Sequence, residues 1–437
     1  MALPNPRQKI TGELFLSQKL LLELRSLVQN ISGLKEILEE AKTKELSQLM
    51  ATLFGSAILL EASDLHLEAK EEGARLRLRI DGVLQEVTLL ENNVYEALLS
   101  RLKLLSGIKL NVADRPQDGR FTFQPEGQGP IEARVSSLPS EHGESLVVRI
   151  LNPQNLKRVK DLGLRKDLLE SFLAEIAKPN GMILVTGPTG SGKTTTLYAF
   201  LQEVQNPEIK IITIEDPIEY HLEGISQTQV QPGKDYTFAS GLRAIVRQDP
   251  DVILVGEIRD KETAEIALQA SLTGHLVFST LHTNDAAGTV ARLLSLGTQA
   301  ANVAASLNLI IAQRLVRKVC KKCSTLSKAT SKEVEVVQKG LKSMKKVLSP
   351  KIPSSFKVPE AKGCKECNST GYRGRVGIFE AIVVTDDIEK LLGESPSIAQ
   401  LREHLTKQGF VTMYQDGLLK VLEGITTLQE LGRVTAE

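Results

Sequence analysis

The sequence contains no tryptophan, and aromatic residues supply only 4% of its 437 positions. That scarcity argues against the stacking platforms that hold single-stranded nucleic acid. Charge of one sign is missing as well. Against 54 Lys and Arg stand 53 Asp and Glu, and the net charge of +1 gives no global footprint for a polyanion. Lysine is dense only between Lys318 and Lys357. No apolar run reaches the ~18 residues that span a bilayer. The opening Met-Ala-Leu-Pro-Asn-Pro lacks the charged-then-apolar order of a signal peptide. A cytosolic chain without direct membrane insertion is expected, so that any membrane role runs through partners.

Cysteine is scarce too, and its placement is informative. The only four are Cys320, Cys323, Cys364 and Cys367, two C-x-x-C pairs. In a reducing cytosol, paired units of this kind read as a tetrathiolate Zn²⁺ site, each supplying two corners of a tetrahedron. With no open position, such a metal is structural. Redox chemistry and inert buried thiols are the competing readings, and the loop between the pairs is longer than in a compact zinc ribbon.

The most informative stretch present is Gly187-Pro188-Thr189-Gly190-Ser191-Gly192-Lys193-Thr194. It fits the phosphate-binding loop of nucleoside triphosphatases. Its glycines let backbone N–H groups curl round a phosphate chain, Lys193 reaches the β/γ oxygens, and the Thr194 hydroxyl ligates Mg²⁺. The apolar run Met182–Val185 precedes it as a strand should, and Thr195–Val204 has helical composition. The helix N-terminus then adds its dipole to the anion site. ATP and Mg²⁺ are the implied cofactors.

The length implies two or three domains, and 41% apolar residues suffice for real cores. Residues 1–60 carry helical periodicity, with Leu20, Leu21, Leu24 and Leu27, then Leu34, Ile37 and Leu38, and read as a docking or packing helix pair. From 61 to 150, Asp64–Glu68, Ala74–Ile80 and Val83–Leu89 alternate like half-buried strands, with Asp81-Gly82 as a hairpin turn. A helix over Asn92–Leu105 and strands near Arg120–Phe123 and Ile131–Val135 complete a small α+β domain. Residues 151–165 read as a linker. Between 166 and 315, the apolar strands Met182–Val185, Ile211–Ile214, Val252–Val255 and Leu276–Ser279 alternate with helical segments. That order predicts an α/β core whose parallel sheet is covered on both faces. Residues 316–380 hold the cysteine pairs around a Ser-, Lys- and Pro-rich insertion. Residues 381–437 read as helical, punctuated by Gly409, Gly417 and Gly424.

Hydrolysis needs more than a phosphate loop. The strand Val252–Val255 ends in Gly256-Glu257, where a Walker-B strand presents its acids, and Glu257 is the expected activator of the attacking water. Gly256 stands where an Asp is usual. The Mg²⁺ shell must then draw on other carboxylates, for which Glu215, Asp216 and Glu219 are available after the second strand. Solvated loop acids are the alternative reading. His275 and His282 bracket the fourth strand and are placed to sense a γ-phosphate or touch Glu257, or else are structural. No arginine is evident beside the phosphate loop. Arg120, Arg134 and Arg149 in the first domain, and Arg243 and Arg247 before the Walker-B strand, are candidates for an arginine finger; surface ion pairing is the bland alternative.

Together these segments resemble the secretion ATPase superfamily, in particular the type II secretion and type IV pilus assembly ATPases. The likeness runs from about Ser63 to Glu437. Its most specific element is Leu242–Asp260, similar to the family signature. Thr213–Glu219 is similar to the acidic box, Thr273–Asn284 to the histidine box, and Ala62–Glu68 to the opening of the family's second N-terminal domain. The resemblance implies a RecA-like P-loop core in a homo-hexamer whose subunits couple ATP turnover to rotation of one domain against the next. It implies an inner-membrane platform protein and pilus or secretion assembly proteins as partners, with peripheral association at that membrane. The tetracysteine insertion sets the chain apart from pilus-retraction and conjugation-type relatives, which lack it. Longer members carry an additional docking domain, and only about 60 residues precede Ser63 here, few for an independent domain. Two other classes stay open. One is a DNA-uptake or conjugation-type motor, for which only the Lys-rich insertion offers a surface; the other is a nucleotide-switched scaffold without turnover.

Overall fold

The computed structural model describes residues 12–41, 45–342, 344 and 355–435. The first residues, considered above for a signal peptide, and part of the Lys-rich insertion lie outside them. The chain divides into two compact units. One comprises the described residues up to Asn155 with Lys362–Arg373, the other Leu156–Ala361 with Gly374–Glu437.

The first unit is built on seven strands: β1 (Glu13–Leu16), β2 (Asp64–Lys70), β3 (Gly73–Ile80), β4 (Val83–Leu90), β5 (Gln117–Pro125), β6 (Ile131–Ser140) and β7 (Gly143–Leu151). They form one sheet in the order β1-β5-β6-β7-β2-β3-β4. Alternating burial along β3 follows from its alternating apolar and charged residues, which put one face on the core. Helices Gln18–Leu27, Ile31–Ala41 and Leu46–Leu59 share that core with the sheet, so the leucine periodicity at the front serves packing within this unit. Phe54, Phe121 and Phe123 meet edge-on or tilted at its centre.

The second unit holds β8 (Gly181–Thr186), β9 (Ile211–Glu215), β10 (Ser226–Gln229), β11 (Val252–Val255), β12 (Leu276–Leu281), β13 (Leu307–Val319), β14 (Thr325–Lys328), β15 (Lys357–Glu360) and, from Gly374 on, β16 (Tyr372–Val383). Its main sheet runs β10-β9-β11-β12-β8-β13-β16, with β8 through β13 parallel in their pairings. Every residue of β8, β9, β11 and β12 is buried, as expected for strands covered on both faces. Helices Lys166–Ile176 and Lys193–Val204 pack on one face, and Phe238–Val246, Lys261–Leu272 and Ala286–Ser295 on the other. This is the α/β core that the strand–helix alternation predicted. Strands β14 and β15 pair within the cysteine-bearing segment, framing helix Ser331–Leu341.

Four helices end the chain: Asp386–Gly393, Ile398–Gln408, Met413–Leu422 and Leu428–Thr435. Gly409 caps one of them in the left-handed region. Gly417 instead lies inside a helix, because a Cβ there would meet Leu431 Cδ1 at 2.2 Å. Two buried charge clusters tie these helices to the sheet. Asp416 accepts from Arg165 Nη1 and Lys420 Nζ, each at 2.8 Å, and from the Phe379 N–H. Glu430 takes Arg317 and Arg433. Glu380, buried on β16, accepts from the first N–H of helix Ala286–Ser295 at 2.8 Å and of helix Met413–Leu422 at 3.0 Å.

Candidate active site

Parallel strands send their carboxyl ends to one edge of a sheet, and that edge is where α/β folds bind ligands. The chain leaves β8 into the phosphate loop, β9 into Asp216, β11 into Gly256-Glu257 and β12 into His282. Topology alone thus gathers four segments spread over about a hundred residues.

The loop from Gly187 to Thr194 wraps onto helix Lys193–Val204, whose N-cap Gly192 has φ 92°. Gly187 has φ 143°, and a Cβ there would lie 2.5 Å from the Gln313 carbonyl oxygen. Both positions therefore demand glycine. Lys193 Nζ donates to the carbonyls of Gly187 at 2.9 Å and Pro188 at 3.2 Å. Burial lowers its pKa, and the charge of Glu257 works in the opposite direction.

Glu257 is held from two sides. His282 Nε2 lies 3.0 Å from its Oε2, and Arg259 binds its Oε1. Arg259 also reaches Asp216, 3.7 Å away. Arg259 lies within the Leu242–Asp260 signature, where sequence alone assigns it no role. Its guanidinium touches the central carboxylate directly. The signal was in plain view, two residues beyond Glu257.

The remaining acids and histidines divide. Glu215 is buried, accepting from Tyr198 and, at 2.6 Å, Thr213 Oγ1, with Gln227 Nε2 at 3.2 Å. Burial raises its pKa against the opposing pull of those donors. This setting fits an anchor for the following loop, against the magnesium role expected for Glu215. Glu219 lies on that loop, close enough for its charge to act on Glu215. His275 sits at the start of β12, whose next residue pairs with Gly181, and its Nδ1 is 2.9 Å from the Ala270 carbonyl oxygen. It therefore occupies the amino-terminal edge, opposite the phosphate loop, and β12 brings only His282 to Glu257.

Arg243 pairs with Glu262, and Arg247 is exposed at the end of its helix. In the first unit, register lines up Arg120, Arg134, Arg149, Asp64 and Arg79 across β5, β6, β7, β2 and β3. Like charges directly opposite in a sheet are unfavourable. Asp64 relieves one end of the row, 2.9 Å from Arg149 Nε and 3.4 Å from Arg79 Nε. Arg120 lies 4.0 Å from Glu132.

The four cysteines converge: their Sγ atoms all lie within 4.8 Å of one another. Cys364 and Cys367 Sγ are 3.7 Å apart, against about 3.8 Å for two thiolates bound 2.3 Å from one tetrahedral zinc. The N–H groups of Cys364 and Gly371 donate to Cys367 Sγ at 3.1 and 3.2 Å, as suits a thiolate. This donor set fits zinc.

Residues 39–433 match the family described as type II/IV secretion system protein. The chain belongs to that family. The type II secretion system protein E of Pseudomonas aeruginosa is 43% identical to this secretion ATPase over 419 residues, 95% of this chain and 80% of the relative. The type IV pilus assembly ATPase PilB of Acinetobacter baylyi is 42% identical over 382 residues, 87% of this chain and 65% of that one. The crystal structure of the pilus retraction motor PilT with bound ADP superposes with a TM-score of 0.58 at 29% identity, covering 88% of this chain and 96% of that one. The secretion ATPase is accordingly an enzyme of ATP turnover. Among its described residues, no helix is long and apolar enough to cross a membrane.

Proposed function

We propose that this secretion ATPase works as a cytoplasmic homo-hexamer, coupling ATP hydrolysis to domain rotation that drives assembly of a pilus or pseudopilus. One observation carries the reading: in a chain of this family, Lys193, Glu257 and His282 stand at one edge of the parallel sheet, with Glu257 gripped for a defined orientation.

The phosphate loop from Gly187 to Thr194 cradles the triphosphate, Lys193 neutralises its outer phosphates, and Thr194 ligates the accompanying Mg²⁺. Glu257 orients and deprotonates the attacking water, with His282 fixing the carboxylate. Asp216 and Glu219 act on the metal's water shell, with Glu215 anchoring their loop. Arg120 and Arg134, from the row on the first unit, supply positive charge to the transferring phosphate, from the same or a neighbouring subunit. Cys320, Cys323, Cys364 and Cys367 hold a structural Zn²⁺. The partners are an inner-membrane platform protein and pilus or secretion assembly proteins, through which the enzyme associates peripherally with that membrane.

The test is to trap the Glu257→Gln protein with ATP, crosslink it in native membranes and identify what it carries. A polytopic platform protein with pilin-like subunits supports the reading, and the companions separate pilus from secretion. DNA-processing proteins without a platform protein would replace it with a translocase.

A further inference from the structure

Gln313 is fully buried on β13, more than a hundred residues from the phosphate loop in sequence, yet it clamps that loop with both ends of its side chain. Its Nε2 donates to the Ser191 carbonyl at 2.8 Å, and its Oε1 accepts from the Thr196 hydroxyl at 2.7 Å. Its backbone carbonyl closes on Gly187, as described above, and its Nε2 would stand 3.0 Å from a Cβ on Gly192. One residue thus holds the loop at Ser191 and on the first turn of its helix, and approaches it closely at its entry.

The hold on Ser191 has a stereochemical consequence. In a trans peptide, C=O and N–H point in opposite directions. Drawing the Ser191 carbonyl toward β13 turns the Gly192 N–H away from β13. A phosphate cradle works by aiming several N–H dipoles at one point, an arrangement in which the dipoles repel one another until an anion arrives. An outside partner that fixes a peptide plane therefore prepares the cradle before the ligand comes. The Thr196 hydroxyl does the same for the helix whose N-terminus faces the phosphates.

We infer that Gln313 is a positioning residue for nucleotide binding, acting through the Ser191–Gly192 peptide and Thr196 to preorganise the phosphate loop. The inference rests on nucleotide binding at that loop.

The experiment measures Mg²⁺·ADP affinity by calorimetry, steady-state KM and kcat for ATP, and melting without nucleotide, on the full chain. Gln313→Met keeps the length and loses both hydrogen bonds. Kd and KM should rise about tenfold, from two bonds each worth roughly 0.5–1.5 kcal/mol, with kcat within about twofold. Gln313→Glu retains the acceptor but sets a carboxylate against the Ser191 carbonyl, and should bind nucleotide more weakly than the Met variant. Thr196→Val removes one bond alone; it should weaken binding by a smaller factor, and add nothing in the Gln313→Met background. Unchanged Kd and KM in Gln313→Met would overturn the inference. Should that variant fail to fold, Thr196→Val decides, and an unaltered KM there overturns it as well. A wild-type chain that binds no ADP would instead sink the reading of the loop itself, whatever Gln313 does.

Discussion

His282 Nε2 lies 3.0 Å from Glu257 Oε2, joining the end of β12 to the residue just beyond β11. Because those strands are parallel neighbours, with Val255 opposite Ser279, the contact is a product of register. His282→Ala should leave ATP binding intact and lower kcat on the order of tenfold, the worth of one hydrogen bond to a charged group. Single-turnover hydrolysis alongside ADP titration checks it; a raised Kd with unchanged kcat would assign the histidine to binding instead.

Glu257→Gln should retain ATP affinity and lose about 10²–10⁴ in turnover, the usual contribution of a positioned general base. Lys193→Ala should remove nucleotide binding itself. Phosphate release and equilibrium binding, measured on both variants, separate the two roles. Turnover surviving in Glu257→Gln would move the water-activating function to another group.

Much of this site was legible because its chemistry is local. The phosphate loop needs eight consecutive residues, and a strand ending in Gly256-Glu257 declares its acid at its own terminus. The two C-x-x-C pairs declare themselves similarly. What escaped was decided by register and by distant chain. His275 and His282 look equivalent in sequence, but six strand residues put them on opposite edges of the sheet. Glu215 and Asp216 are adjacent, yet the first is the last residue of the buried strand β9, beside Tyr198, and the second already lies beyond it. Strand β13, thirteen residues from Leu307 to Val319, carries Gln313 to the loop and does not declare itself as a strand in the sequence. Its polar end, Gln-Arg-Leu-Val-Arg-Lys-Val, blurs the apolar run by which the other core strands were recognised. Gly417 misled for a further reason: it serves the close approach of two helices rather than a turn.

Zinc removal provides a separate check. Cys364→Ser should lose the metal and unfold the cysteine-bearing segment while the phosphate loop still binds ADP. Metal analysis and limited proteolysis report the two halves of that expectation. Full zinc content in the variant would contradict the tetrathiolate assignment.

Acid sensitivity is expected from Glu430. Burial alone would raise its carboxyl, but hydrogen bonds from Arg433 and Arg317 outweigh this and hold it at about 2, below the ordinary 4.5. A depressed folded-state pKa contributes stability above the unfolded value, lost as pH falls toward the folded one. Melting should therefore weaken between about pH 4.5 and 2, and Glu430→Gln should flatten that slope while lowering stability at neutral pH. An unchanged profile in the variant would remove Glu430 as its source.

Asp416→Ala should be among the most damaging single changes away from the active site. It leaves Lys420 as a buried cation without its counter-charge and Arg165 with Asp167 alone, a loss of about 3 kcal/mol. Denaturant unfolding measures it directly, and a loss below about 1 kcal/mol would show that water takes over the pairing.

Glu380 works as a rivet. One helix starts four residues after His282 and another near the chain's end, and both seat their first amide on the two oxygens of this one carboxyl. A carboxyl is rigid and planar, so the two seats keep a fixed spacing. Movement of the catalytic edge that carries the first helix must carry the second with it or break a buried bond. The helix that follows His282 and the helix at Met413 are thereby fastened to each other through one side chain of the sheet.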